Sequence, residues 1–322
     1  MARTLEPQPP AARPPMATRR HRPRGRVIAL RIGVVLGAVL VLSGLGAVAT
    51  NAFGVGDRFE NLVDKVRLAV APPPDRPTVA TVLIDPSPSP SPSPSPSPHP
   101  VAATTSPPPS PSPSPEPVRR GVDVNLHPDA DKLFNSQITK DWCAPSGVQI
   151  TLALMGLAPA TDAFQRELVG RIGEWESRRD SRNGGWGPAA IVQALDAYGA
   201  KGYEIHAHKS RAAALRDAAR ALSDTGSPAI VIAWRGAHTW VMTGYRADAD
   251  PTIFDDAVVK GAYIFDPWYP RVSTIWGPSD PPGTYQDGAE MRRNFLPWKR
   301  PEGSYPDRDG RYLVVVPTVK VA

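Results

Sequence analysis

The residues best placed for covalent chemistry are a cysteine and the segment around it, Gln137-Ile-Thr-Lys-Asp-Trp-Cys143-Ala-Pro-Ser-Gly. The apolar pattern that follows predicts a helix beginning at Cys143, and Pro145 fits its first turn, where a missing N–H costs nothing. The N-terminus of a helix stabilises a thiolate through its dipole and its unpaired N–H groups. Gln137 lies upstream, where its side-chain amide could join the Cys143 N–H in an oxyanion hole. Cys143 is therefore a candidate nucleophile.

A cysteine nucleophile also needs a base and a group that orients the base. His238 opens a strand-like run directly after Gly-Ala, and Asp266 ends the run Ala-Tyr-Ile-Phe-Asp, where Pro267 stops the strand. Taken alone, His238 is more often a structural histidine and Asp266 a turn carboxylate. Together, in the order Cys, His, Asp, they predict a catalytic triad.

The motifs around these residues resemble papain-like cysteine peptidases, and within them the C39-like group related to bacteriocin-processing, double-glycine-leader peptidases. The resemblance runs from about Asn135 to Pro270 and rests on the Gln to Cys spacing with Trp-Cys-Ala-Pro, on Gly-Ala-His and on Phe-Asp-Pro. It implies that Cys143 is the nucleophile, His238 the general base and acid, Asp266 the orienting carboxylate and Gln137 the oxyanion donor. It also implies a papain-like fold.

Two other groups of residues suggest metal binding, but only weakly. His206 and His208 alternate along a predicted strand, so both imidazoles could face one way as an H-x-H pair, yet no third ligand cluster is evident. A half-exposed strand with Glu204, His206 and His208 on its solvent face is favoured. The aspartates between positions 248 and 256 lack the glycine and terminal Glu of an EF-hand, which favours a solvated loop. We therefore expect no metal and no cofactor.

Apolar periodicity around the candidate site predicts an α+β domain, with a helical part first and a mainly antiparallel sheet after it. The predicted helices are Cys143 to Leu157, Thr161 to Trp175, Pro188 to Tyr198 and Arg211 to Leu222. The predicted strands are Tyr203 to His208, Ala229 to Trp234, Thr239 to Tyr245, Ala262 to Phe265, Val272 to Trp276 and Tyr312 to Val316.

Composition limits the folded part to the second half of the chain. Of 40 prolines, 25 precede Val118, whereas all eight tryptophans follow it, and a core needs such aromatic residues. The net charge of +6 comes from eight arginines within residues 1–56, so the folded part is nearly neutral and no nucleic-acid partner is expected. With Cys143 as the only cysteine, an intramolecular disulfide is excluded.

An uncharged apolar run, Ile32 to Phe53, predicts one transmembrane helix, since its residues at about 1.5 Å each span a hydrocarbon core of about 30 Å. Arginines crowd its N-terminal side, which places the tail in the cytoplasm and the C-terminal domain outside the cell. A cleaved signal peptide ending near Ala47-Val-Ala is the alternative, but the charged region and the apolar run are both long for a signal.

The region between the predicted span and the domain is rich in Ser-Pro repeats, which favour polyproline II. It could be a stiff stalk reaching on the order of 100 Å from the bilayer, or a disordered tether of no fixed length. The predicted organisation is a basic Pro-rich cytoplasmic tail at 1–31, the transmembrane helix at 32–53, a juxtamembrane segment at 54–85, a Ser/Pro-rich linker at 86–117 and the peptidase domain at 118–322.

Two classes of function agree with these features. The first is a membrane-tethered extracellular cysteine peptidase or amide hydrolase, acting on a peptide or cell-wall amide. The second is a non-catalytic module that holds such a ligand in a groove, to which Trp and Tyr residues after position 267 could contribute, although tryptophans more often fill cores. The presence of Gln137, Cys143, His238 and Asp266 in workable order favours the enzyme, and leaves the oligomeric state open.

Overall fold

The fold is built around a mixed β-sheet. Its strands come from within the segment that resembles a peptidase, from residues before it and from residues after it. The computed structural model describes residues 66, 70–71, 76, 78–85, 116–181, 185–299 and 303–320. All of these except Val66 belong to one compact unit, Arg67–Ala322. The predicted tail, the predicted membrane span and nearly all of the Ser/Pro-rich linker lie outside the described residues.

Helices and strands alternate along the described chain and do not divide into a helical half followed by a sheet. The helices are α1 Cys143–Leu154, α2 Asp162–Gly170, α3 Ile172–Trp175, α4 Pro188–Ala197, α5 Arg211–Thr225 and α6 Gly288–Asn294. The strands are β1 Thr81–Ile84, β2 Val122–Asn125, β3 Tyr203–His208, β4 Ala229–Ala233, β5 His238–Ala247, β6 Val259–Phe265, β7 Val272–Ser273, β8 Gly277–Pro278, β9 Thr284–Asp287 and β10 Tyr312–Pro317. Short 3₁₀ turns cover Ala130–Leu133 and Trp234–Gly236.

The main sheet has the strand order β1-β3-β10-β4-β5-β6-β9, with β2 also paired to β5. Only the β1–β3 pair is parallel, and all the other pairs in this sheet are antiparallel. Strand β10 lies between β3 and β4, so a strand that comes late in the chain joins the centre of the sheet. The described part is thus an α+β fold with a mainly antiparallel sheet, as the sequence predicts.

Helices cover both faces of the sheet, because alternate side chains of a buried strand point in opposite directions. In β4, Ile230 and Ile232 pack with residues of α1 and α4. Val231, the residue between them, packs with residues of α5 on the opposite face. These two hydrophobic clusters place the helix that begins at Cys143 and the helix α5 on different faces of the same sheet.

Local sequence accounts for where the main helices begin and end. The Thr161 hydroxyl accepts a hydrogen bond from the N–H of Phe164 (3.3 Å) and so caps α2. The Ser210 hydroxyl does the same for α5, accepting from the N–H of Ala213 (3.2 Å). After α1, Gly156 takes a left-handed conformation (φ 71°), the usual stop for a helix, since glycine has no Cβ to oppose it.

All four predicted helices are present, the second divided at Arg171 into α2 and α3, and β3 has the predicted bounds. The predicted strand from Val272 to Trp276 is wrong beyond its first two residues, because Ser273 ends it by accepting hydrogen bonds from the N–H groups of Ile275 and Trp276. The sequence pattern also missed β1, β2 and β9, each only four residues long.

Strand β1 lies upstream of the predicted start of the domain at Val118. It pairs with β3 along its whole length, and the carboxylate of Asp85 at its end binds Arg311 (2.9 Å). Strand β2 lies on the other side of the Ser/Pro-rich segment and pairs with β5. That segment therefore connects two strands of one sheet, and the predicted juxtamembrane segment 54–85 contributes the first of them.

Within the part of the chain that the structure describes, none of the helices has the length and apolar character needed to cross a bilayer. The predicted span at 32–53 is not among those residues.

Candidate active site

Cys143 is the first residue of α1, as predicted, and its side chain is half-buried. The N–H of a first helical residue has no acceptor within the helix, so it can donate to a bound group. The thiol Sγ lies 3.8 Å from the carbonyl oxygen of Ala237, the residue immediately before His238. The start of α1 and the start of β5 therefore meet at this point.

Glycine at position 147 allows this close meeting of helix and strand. A Cβ on Gly147 would lie 2.6 Å from the Cγ2 of Thr239, a separation that carbon atoms do not tolerate. Thr239 follows His238 in β5, so the distance between α1 and the base depends on this missing side chain.

The base and the orienting carboxylate form a buried pair. The Nε2 of His238 lies 2.6 Å from the Oδ1 of Asp266, and their side chains are 2% and 8% exposed. The same Oδ1 accepts a hydrogen bond from the N–H of Trp268 (2.8 Å), which fixes the carboxylate. Since the carboxylate occupies Nε2, the Nδ1 of His238 is the nitrogen left for the thiol.

The charged form of His238 is favoured despite its burial. Burial alone lowers the pKa of an imidazole, but the Asp266 carboxylate and the Cys143 side chain outweigh it and raise the pKa of His238 to about 9. An imidazolium at neutral pH stabilises a neighbouring thiolate and has a proton ready for a leaving group.

Aromatic rings enclose the imidazole. The indole of Trp234 stacks on the His238 ring with centroids 4.0 Å apart, and the ring of Trp276 stacks with that of Trp234 at 5.7 Å. Trp234 and Arg235 both have positive φ (51° and 60°), which is costly for residues with a Cβ. The turn before β5 is thus strained, and it places the indole of Trp234 against the His238 ring. The sequence did not predict this contact of Trp234 with the base.

Gln137 is buried close to the segment that carries Asp266. Its backbone N–H donates to the carbonyl of Pro267 (2.9 Å), and its side-chain Nε2 donates to the carbonyl of Thr139 (2.7 Å). A primary amide has two N–H donors, so one remains after the bond to Thr139. The Oε1 of Gln137 has no hydrogen-bond partner among the described residues.

Arg271 ties the Gln137 segment to the end of the Asp266 segment. Its guanidinium donates to the carbonyl of Gln137 (2.6 Å) and to that of Ile138 (3.0 Å). Sequence reasoning did not single out Arg271, because an arginine in a loop carries no signal of the backbone that it will bind. The four predicted site residues thus come from three places: Gln137 and Cys143 from the loop into α1 and its first residue, His238 from the start of β5, and Asp266 from the end of β6.

Comparison with protein families finds a match over this segment. The model of the Peptidase C39-like family matches residues 132–280, a range that includes Gln137, Cys143, His238 and Asp266. The chain contains a Peptidase C39-like domain. The match to this C39-like domain stops before β9, α6 and β10, and begins after β1 and β2.

One solved structure is similar, the crystal structure of a double glycine motif protease from an AMS/PCAT transporter in complex with the leader peptide. It shares 16% identity, covers 57% of this chain and 91% of its own, and superposes with a TM-score of 0.29. A search of curated proteins finds no match to the C39-like domain or to the rest of the chain.

The remaining predicted groups lie in different settings. The aspartates after β5 are engaged in loop contacts: Arg119 pairs with Asp248 and Asp256 (both 2.8 Å), and Arg220 with Asp255 (2.6 Å). The aromatic residues divide between buried positions, such as Trp298, and half-buried positions beside the site, such as Trp276.

The prediction that the histidines of β3 lie on its solvent face is wrong. The side chain of His208 is only 2% exposed and that of His206 13%, because α5 covers this face of the strand. Asp217 of α5 approaches both rings. Sequence reasoning missed Asp217, since one acidic residue on an amphipathic helix carries no sign of its partner.

Proposed function

We propose that the chain is a cysteine peptidase or amide hydrolase that acts through Cys143, His238 and Asp266. The observation that carries the proposal is the buried His238–Asp266 pair at 2.6 Å, next to a half-buried thiol at a helix N-terminus. A structural histidine would not need a carboxylate on one ring nitrogen and a thiol as a further partner. The Peptidase C39-like domain supports the same class of reaction.

In the proposed reaction, the Cys143 thiolate attacks the carbonyl carbon of an amide and a C–S bond forms. Gln137 Nε2 and the Cys143 N–H donate hydrogen bonds to the resulting oxyanion. His238 gives its Nδ1 proton to the amine as the C–N bond breaks, leaving a thioester. A water molecule then loses a proton to His238 and attacks the thioester, so the acid leaves and the thiolate and imidazolium return.

A peptide or cell-wall amide is the proposed substrate, at the outer side of a membrane. The support is sequence-based: an uncharged run at 32–53 follows a tail with eight arginines at positions 1–31, which favours a cytoplasmic tail and an extracellular domain. Because β1 is part of the sheet, the tether in this proposal is residues 54–80 rather than the Ser/Pro-rich segment.

Turnover of a peptide and cell-wall amide panel tests the proposed chemistry. Wild-type protein should form a thioester on Cys143, detectable by mass spectrometry after acid quench, and Cys143→Ala should form none. Gln137→Ala should keep a reactive thiol but lose one oxyanion donor, lowering kcat by about 10²–10³-fold. His127→Ala, outside the site, is the control and should keep wild-type turnover.

Circular dichroism of each variant separates loss of chemistry from loss of fold. If folded wild-type protein with an alkylatable Cys143 cleaves no amide or ester in the panel, the alternative applies and the domain is a non-catalytic binding module. Orientation is tested with protease added to intact spheroplasts, which should digest the domain. Survival of the full chain until lysis would reverse the proposed orientation, and a soluble chain beginning near Thr50 would indicate signal cleavage.

A further inference from the structure

A second cluster of ionisable side chains lies between β3 and α5, on residues that the proposed reaction does not use. The Oδ2 of Asp217 lies 2.7 Å from the Nδ1 of His206 and 2.8 Å from the Nε2 of His208. One atom from each of the three residues lies within 4.8 Å of the other two. Two imidazoles and a carboxylate thus converge on one point, and they supply the third ligand that the H-x-H pair lacks in sequence.

The hydrogen bonds of this cluster converge on one oxygen and leave one ring nitrogen without a partner. The Asp217 oxygen accepts from both rings, so each ring must present a proton to the same atom. The other nitrogen of His208, Nδ1, is buried and has no hydrogen-bond partner among the described residues. The side chain of His208 is 2% exposed, so this nitrogen carries a cost of desolvation, which a cation on Nε2 would not remove.

The second nitrogen of His206 has the surroundings that a metal-bound histidine needs. Its Nε2 lies 3.2 Å from the Oε2 of Glu204, while Nδ1 faces Asp217. A metal-ligating histidine almost always donates its other N–H to a carboxylate or carbonyl, which fixes the ring and raises its basicity. Glu204 can accept that proton, and this leaves the Nδ1 lone pair free for a cation.

We propose that His206 Nδ1, His208 Nε2 and Asp217 Oδ2 bind one divalent transition-metal ion, for which Zn²⁺ is the best chemical match. Imidazole nitrogen with one carboxylate oxygen is a donor set that suits zinc, with water as a fourth ligand. At metal–ligand distances of about 2.0–2.1 Å, the oxygen must move away from the two nitrogens by about 0.5 Å. The side chain of Asp217 is 26% exposed, so it has room to do so.

Neighbouring cations do not oppose such an ion. Lys209 and Arg311 both pair with Asp85 (3.1 and 2.9 Å). On α5, Arg220 pairs with Asp255 (2.6 Å) while Arg216 donates to the carbonyl of Ala257 (3.4 Å). A metal here would join β3 to α5 and hold the β1 edge of the sheet. The site shares no residue with the proposed triad, so either proposal can fail without the other.

Zinc and cobalt binding to the full-length chain tests the proposal, in a Cys143→Ala background that removes the one thiol able to compete. Calorimetric titration with Zn²⁺ should saturate at one ion per chain, and Co²⁺ should give the visible d–d absorption of a tetrahedral site. Asp217→Asn and His206→Gln should each weaken binding by more than about 100-fold, whereas Glu204→Gln should weaken it by about 10–100-fold. His127→Ala is the control and should bind as tightly as its background.

Ring ¹⁵N NMR gives an answer even if a variant fails to fold. Zn²⁺ should shift the Nδ1 resonance of His206 and the Nε2 resonance of His208, and leave the two nitrogens of His238 unchanged. Absence of saturable binding, binding that survives Asp217→Asn in folded protein, or metal-induced shifts at His238 alone would each overturn the proposal. The cluster would then be a hydrogen-bonded packing contact.

Discussion

Two histidine–carboxylate clusters lie in the same sheet, and they differ in what surrounds the ring. At the start of β5, the His238 ring has one carboxylate on Nε2, an indole stacked on its face and a thiol as a further partner. On β3, His206 and His208 share the Asp217 carboxylate, and no thiol is near, since Cys143 is the only one in the chain. The first arrangement suits proton transfer to a nucleophile, and the second suits a cation.

The comparison shows that a short His–carboxylate distance does not define a role by itself. The distances are similar, 2.6 Å in one cluster and 2.7 and 2.8 Å in the other. What separates the clusters is the surroundings of the other ring nitrogen: a thiol for His238, a carboxylate for His206, and no hydrogen-bond partner among the described residues for His208.

After Cys143→Ala, Asp266→Asn should cause the largest change, a loss of about 10³–10⁴-fold in kcat, because a neutral amide stabilises the imidazolium far less than a carboxylate does. Steady-state hydrolysis of the best amide substrate from the panel measures this loss. The matched control is Asp255→Asn, a change in an exposed loop, which should keep activity within about twofold. Equal losses in the two variants would mean that the Asp266 carboxylate has no specific role at His238.

The pH dependence of the reaction should report His238. Its pKa of about 9 in the folded protein exceeds the ordinary 6.5, so the imidazolium is present at neutral pH and is lost as pH rises through about 9. We expect kcat/KM to fall about tenfold per pH unit above that value.

The free energy of unfolding should also depend on the protonation of His238. A raised folded-state pKa adds stability that is fully present below about pH 6.5 and is lost as pH rises through about 9. Urea unfolding from pH 6 to 10 should therefore show declining stability, and His238→Ala should flatten the decline. A decline of unchanged size in His238→Ala would assign it to other groups.

Asp217→Asn should lower the free energy of unfolding by about 1–3 kcal/mol in metal-free protein, because two buried or half-buried imidazoles lose a charged acceptor. Urea titration in the presence of a chelator measures this. Asp255→Asn is again the control, since its exposed ion pair with Arg220 contributes little. A change of less than about 0.5 kcal/mol would mean that the cluster does not help to join α5 to β3.

Removal of β1, as a deletion of residues 78–85, should have the smallest effect, about 1–2 kcal/mol, since its hydrogen bonds are partly offset by the entropy of ordering the strand. Because Val82 lies opposite His206 and Ile84 opposite His208, the deletion should raise the reactivity of these two rings toward diethyl pyrocarbonate but leave His238 unchanged. Deletion of residues 90–99 in the Ser-Pro repeat is the control. If both deletions act alike, β1 does not protect the cluster.

Sequence alone determined the positions whose structure depends on near neighbours. The helix that begins at Cys143 follows from Pro145 and the apolar run after it, and the bounds of β3 follow from alternation within six residues. Asp266 stands at the end of its strand because Pro267 cannot continue it. Such features are encoded locally, so they can be read without the fold.

Tertiary structure decided what depends on residues far apart in the chain. Asp217 meets His206 and His208 only because α5 packs on that face of β3, and Trp234 stacks on His238 only through the left-handed turn between β4 and β5. The place of β1 beside β3 joins residues separated by more than a hundred positions, and strand pairing at that range leaves no periodic signal in four residues. Long-range packing, not local preference, brings these groups together.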